Sequence, residues 1–170
     1  MPFTDLLRVT VLLTGAEATA LAAITAVAVN RNDDTTTLIV AAAWWVVALL
    51  VGLYLGRPSR AADALRDALA RARTATSLPP ETPSRIALTR LWPIALTAIA
   101  AGALGIFFPG VAAIAAGYAL LVSLAWHSRE RAVEAIEQRD GVRFYVVPNS
   151  AFRPIQLTRT PGLRSSGPTR

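Results

Sequence analysis

One acidic residue stands inside a run of apolar ones. Glu17 lies within VTVLLTGAEATALAAITAVAV, residues 9–29. An ionisable group at the middle of a bilayer span costs several kcal/mol unless it is paired, neutralised or hydrated, which makes it a functional candidate by default. Thr10, Thr14 and Glu17 follow one another at four- and three-residue spacing, so they fall near one helix face. That face could line a polar track for a proton or an ion. It could equally set a neutral carboxyl against a neighbouring helix and lock a bundle or an oligomer. No basic residue stands in the middle of another apolar run to pair with it. The locking role outweighs transport, because secondary transporters generally have more spans and internal repeats.

A second group comprises Trp92, Trp126, His127 and Arg129, beside Arg90, at the ends of apolar segments. A lipid-modifying enzyme would need a polar cluster there. A lone histidine at such a boundary is more often a solvated side chain than a catalyst, and no glycine-flanked elbow surrounds Ser123 or Ser128. The chain has no cysteine and one histidine, which excludes disulfides, thiolate metal sites, a cysteine nucleophile and a histidine cluster. No nucleotide loop is present. No catalytic, cofactor-binding or metal-ligating set is therefore assigned, and no cofactor is expected. Trp44 and Trp45 are neighbours within an apolar segment. Side chains one residue apart on a helix point about 100° apart, so one is expected toward lipid and the other toward the protein. Packing outweighs a ligand cage for this pair.

The elements that must hold these residues are membrane spans. Of 170 residues, 54% are hydrophobic and 16% charged, against about 25% charged in a soluble domain. Mean hydropathy is +0.45. Four apolar segments cover about 6–29, 38–55, 91–108 and 111–127. Asn30-Arg31-Asn32-Asp33-Asp34 closes the first, Gly56-Arg57-Pro58 closes the second, and Pro109-Gly110 is the turn between the last two. In lipid every backbone group must bond within its own segment, so these are helices. Ala26-Val27-Ala28 resembles a signal-peptidase site, but Glu17 interrupts the apolar core such a peptide needs, and Asp5 offsets Arg8.

All 17 basic residues are arginine and the net charge is +6. With the abundance of alanine, that bias points to a GC-rich bacterial genome. Seven arginines lie from Arg57 to Arg90 and eight after Trp126; with Arg8, all but Arg31 fall on one side of a four-span chain. The positive-inside rule makes that side cytoplasmic, with both termini there. Trp92 and Trp126 then sit at the inner interface and Phe107 and Phe108 at the outer one. Arginines placed beside apolar segments set topology and meet anionic headgroups, so nucleic acid is not expected as a partner.

Outside the spans, the central loop (57–90) predicts a helix over about 60–75. Ser59 is its cap, Ala62, Leu65, Leu69 and Ala72 form a weakly apolar stripe, and Asp67 and Arg71 are in pairing register. A proline linker (77–83) follows. HSRERAVEAIEQRD continues the fourth helix to Gly141. VRFYVV (142–147) and FRPIQLTR (152–159) then read as a hairpin, with the second strand at an edge because of Pro154. A lone hairpin is marginal in water, so it must lean on membrane, loop helix, a second copy or another protein. Phe144, Tyr145 and Phe152 are its candidate interaction side chains. Residues 160–170 are expected to be disordered.

The fold expected is therefore an all-α membrane protein: a four-helix transmembrane bundle (1–127), both termini inside, with an amphipathic loop helix, and a helix extension with a small hairpin (128–159). The function expected is non-enzymatic: a scaffold, accessory subunit or regulator in the cell membrane, as a homo-oligomer or beside a membrane-protein partner. The alternative is an oligomeric channel or proton-coupled carrier using Glu17.

Overall fold

The computed structural model describes residues 1–57, 69, 72–74, 82–151 and 155–161. Four helices dominate: α1 (Phe3–Asn32), α2 (Thr35–Leu55), α3 (Pro83–Gly105) and α4 (Pro109–Asp140). Each is long and apolar enough to cross a membrane. Three short strands, β1 (Arg73–Thr74), β2 (Val142–Val146) and β3 (Leu157–Pro161), make one sheet in the order β1-β3-β2.

Local chemistry moves several boundaries. The polar loop expected over residues 30–37 shrinks to Asp33 and Asp34. Asp33 takes the left-handed conformation (φ 51°) and its N–H bonds to the Val29 carbonyl, which closes α1. Asp34 opens α2: its Oδ1 accepts the Thr37 N–H at 3.0 Å and its Oδ2 accepts the Thr37 hydroxyl. These bonds, the hydroxyl first, hold its carboxyl below the usual carboxylate range. α3 begins at Pro83, eight residues before the expected Leu91, because proline at the first helical position loses no hydrogen bond. For the same reason Pro109 and Gly110 open α4 instead of forming the turn, which falls to Ile106–Phe108. α4 continues to Asp140 and ends at Gly141 (φ 61°), as expected.

The helices alternate in direction. The starts of α1 and α3 and the end of α4 share one apolar cluster through Phe3, Leu6, Leu7, Ile86 and Val133. α2 returns to that end, where Gly56 meets Ser128. α1 and α4 make the most extensive pair; α3 packs on both and α2 mainly on α4. Small side chains let the axes approach. Ala41, Ala48 and Gly52 are the buried residues of α2, and Ala112, Ala113, Ala116 and Gly117 are buried on α4. The small-residue pairs Ala101/Gly105 and Ala113/Gly117 thus serve contacts within the chain: Gly105 faces Ala112 and Ile24, and Gly117 faces Trp44. The rest of the bundle surface is bare hydrocarbon, including Ile39, Val40, Leu50, Leu96 and Ile99. So large an exposed apolar belt matches a lipid solvent and not water.

Trp44 and Trp45 depart from the expectation that they would face different surroundings. Both indole N–H groups donate to successive carbonyls of α4, Trp45 to Ala113 at 2.9 Å and Trp44 to Ile114 at 3.2 Å. The side chains are long enough to converge, and Gly117 leaves the space that the Trp44 ring occupies.

At the other end of the molecule from the two tight turns is a folded head. Its core is Met1, Phe3, Leu6, Leu7, Ile86, Val133, Val142, Phe144, Val146 and Leu157. Each such aliphatic or aromatic side chain contributes about 1.5–3 kcal/mol on full burial. β2 and β3 are antiparallel, with Val142 opposite Pro161 and Val146 opposite Leu157. The hairpin therefore runs two residues beyond Arg159 on its second strand. Its support is the chain itself. The Val146 N–H donates to the Met1 carbonyl at 3.0 Å and Pro2 bridges to Tyr145, so the N-terminus covers the β2 edge. On the other side, β1 pairs in parallel with β3. Arg73 and Thr74 are therefore strand where a helix to residue 75 was expected, because β3 offers them an open edge. Leu69 and Ala72, from the expected apolar stripe, pack against the head core. The remainder of that stripe, Ser59, Asp67, Arg71, Phe152 and the tail beyond Pro161 lie outside the described residues.

Candidate functional site

Two recesses bring together polar side chains. The first lies in the head, between the start of α1 and the end of α4, with a volume near 520 Å³. Asp5, Glu130, Glu134 and Glu137 line it, with Arg8 and Arg143. The α4 carboxylates sit at 130, 134 and 137, the spacing that stacks side chains on one helix face. Arg8 Nε lies 3.5 Å from Glu130 Oε1, and His127 Nδ1 lies 3.6 Å from Glu130 Oε2. The Arg8 contact joins α1 to α4, but Arg8 is mostly exposed, so the pair is worth at most about 1 kcal/mol. Glu137 Oε1 accepts the Phe144 N–H at 2.9 Å and ties α4 to β2. Four carboxylates against two guanidinium groups leave the recess acidic, at the end of the molecule that holds most of the arginines.

The boundary residues find individual partners. The Arg129 guanidinium lies 5.5 Å from the Trp126 ring centroid, a cation–π contact. His127 pairs with Glu130 as above. Arg90 donates to Asn149 Oδ1, joining α3 to the segment after β2. Trp92 is on α3 with nearly half its surface open. Phe107 and Phe108 are exposed at the opposite end. Of the hairpin candidates, Phe144 is 3% exposed and belongs to the head core, while Tyr145 is half-buried beside Pro2.

The second recess lies among α1, α3 and α4 and opens to the bundle surface, with a volume near 390 Å³. Glu17 opens onto it, and its Oε1 is shut off from solvent with no hydrogen-bond partner among the described residues. The walls are apolar: Ile94, Ala98 and Ala101 from α3, Ala115, Ala119 and Val122 from α4. Tyr118 completes them and meets Trp44 edge to face, with ring centroids 5.3 Å apart.

The threonines expected to share a face with Glu17 do lie on the protein side of α1, but they form no track. Thr10 donates to the Leu6 carbonyl at 2.8 Å and Thr14 to the Thr10 carbonyl at 2.9 Å, so both hydroxyls are spent on their own helix. Of the two, Thr14 alone lines the chamber, where Thr97 is likewise turned to the Ile94 carbonyl at 2.7 Å. Ser123, dismissed above as a nucleophile, donates across the α1–α4 interface to the Val11 carbonyl at 3.2 Å. Sequence reasoning missed two groups. Glu130, Glu134 and Glu137 were visible as a helical row of acids. Tyr118 was visible as the polar aromatic in the fourth apolar run, on the face of Ala115, Ala119 and Val122.

Among the described residues no group of three histidine, aspartate or glutamate side chains is placed to hold a metal ion. Comparison with protein-family models, with curated proteins and with solved structures gives no match.

Proposed function

We propose that this chain is a small non-enzymatic membrane protein, a scaffold, accessory subunit or regulator, that holds its head at the cytoplasmic face and receives a basic segment of a partner membrane protein there. The observation that carries the reading is the acidic recess between α1 and α4. An acidic concavity on the arginine-rich side of a protein selects a partner that anionic headgroups alone would not select. The segregation of arginines to the head end supports an inward-facing head.

Orientation and partner are tested separately. The chain has no cysteine, so single cysteines report cleanly. With Gly110→Cys and Ser150→Cys, a membrane-impermeant maleimide on intact cells labels the first and spares the second; the reverse pattern overturns the inward head. Native mass spectrometry of solubilised wild-type protein shows a discrete complex, and Glu134→Arg loses it. Monomers alone, or a complex that ignores the charge reversal, would sink the docking role.

The second reading is an oligomeric channel or proton-coupled carrier that uses Glu17. The chamber beside Glu17 favours it. The hydroxyls of Thr10 and Thr14, spent on their own helix, weigh against a conducting track and in favour of a binding place.

A further inference from the structure

We propose that the chamber beside Glu17 is a binding site for a lipophilic cation: an ammonium or phosphonium centre carried on an apolar body. The site stands on the bundle alone, so its loss would leave the head's docking role untouched. Three observations converge on this ligand class.

The first is the carboxyl. Glu17 Oε1 is enclosed and has no hydrogen-bond partner among the described residues. A buried polar group is normally satisfied, and an unmatched one is costly. Nothing in the chamber supplies the match, since the Thr14 and Thr97 hydroxyls donate to backbone carbonyls. Nor does the rest of the bundle. Arg8 and Arg31 are nine and fourteen residues away on α1, about 14 and 21 Å along the axis. Between Arg90 and Arg129 the chain has no basic residue except His127. An ionised Glu17 would therefore have to take its positive partner from a ligand.

The second is the shape and lining. About 390 Å³ falls within the range of small-molecule sites. Alanines at 98, 101, 115 and 119 leave the room, and the walls present hydrocarbon. They suit an apolar body and would strand a hydrophilic one. The third is Tyr118. A cation prefers an aromatic face within about 6 Å. Tyr118 is in the chamber wall, and Trp44, itself anchored to the Ile114 carbonyl, packs against it at 5.3 Å between ring centroids.

The test uses the full chain in phosphatidylcholine nanodiscs, with empty discs subtracted. The probes are tetraphenylphosphonium and tetraphenylborate, which share a shape and differ in sign. The phosphonium binds saturably, one per chain, and the borate neither binds nor competes. Glu17→Gln keeps the side-chain volume and weakens phosphonium binding about thirtyfold or more, as expected for removal of one partner of a desolvated charge pair. Ala98→Leu keeps the carboxyl, fills the chamber and also abolishes saturable binding. Tyr118→Leu costs about twofold to fivefold. Thermal unfolding of each variant checks that the bundle is intact. Equal phosphonium binding by wild type and Glu17→Gln, equal binding of borate, or full binding by Ala98→Leu would each overturn the assignment.

Discussion

Gly117→Ala adds one methyl group in the first third of α4, and the structure says it should be destabilising although alanine is the better helix former. A Cβ at this position would lie 2.0 Å from Trp44 Nε1 and 2.6 Å from Trp44 Cδ1, closer than real contacts allow. The ring must swing away. It then gives up its bond to the Ile114 carbonyl and its edge-to-face contact with Tyr118. A hydrogen bond between membrane helices is worth about 0.6–1.7 kcal/mol. The aromatic pair adds about 0.5–1.5 kcal/mol, and a displaced rotamer costs a similar amount. Replacing glycine inside a helix returns at most about 1 kcal/mol. The losses win, and the net cost is about 1–3 kcal/mol. Denaturant-induced unfolding in mixed micelles, followed by circular dichroism, measures it. The decisive comparison is a double-mutant cycle. In a Trp44→Ala background there is no ring to displace, so Gly117→Ala becomes neutral or stabilising. An equal cost in both backgrounds would refute the packing argument.

Leu6→Ala removes a side chain that is 2% exposed in the head and lowers stability by about 2–5 kcal/mol; amide exchange in Val142–Val146 should accelerate before that in the bundle. Asp34→Ala removes the cap of α2, and its effect depends on pH. The Asp34 carboxyl is held below its ordinary range, so its contribution is complete above the unfolded value near 3.9 and fades as pH falls through the lowered folded value. Melting curves of wild type and Asp34→Ala thus differ by a constant amount at neutral pH and converge in strong acid; a gap that persists there would show that the cap does not act through the carboxylate.

Much of the bundle was legible because lipid imposes one rule along a whole segment: apolar, about 20 residues, helical. The errors cluster at segment ends, where a single side chain decides. Asp34 as a cap and Pro83 and Pro109 as first helical residues each extended a helix into what composition reads as loop. The head was half legible. Its two strands follow from VRFYVV and the residues near Leu157, but their support does not. Met1, Phe3, Leu6 and Leu7 read as the lead-in to a span, and only the long-range pairing of the chain's start with β2 turns them into a core. Of the candidate site, the Glu17 carboxyl was plain and the chamber was not, since a cavity depends on which alanine faces which across three helices.

The pairing of α1 with α4 has a consequence for synthesis. Of these four helices, the earliest made finds its principal neighbour in the latest. From the end of α1 at Asn32 to the start of α4 at Pro109 the chain grows by 77 residues, about 4–15 s of elongation. Throughout that interval Glu17 waits in the membrane without the helix that will wall its chamber. The head closes later still, when β3 emerges. Synthesis therefore leaves a carboxyl-bearing helix partly assembled, and whatever shelters it acts on α1 before α4 exists.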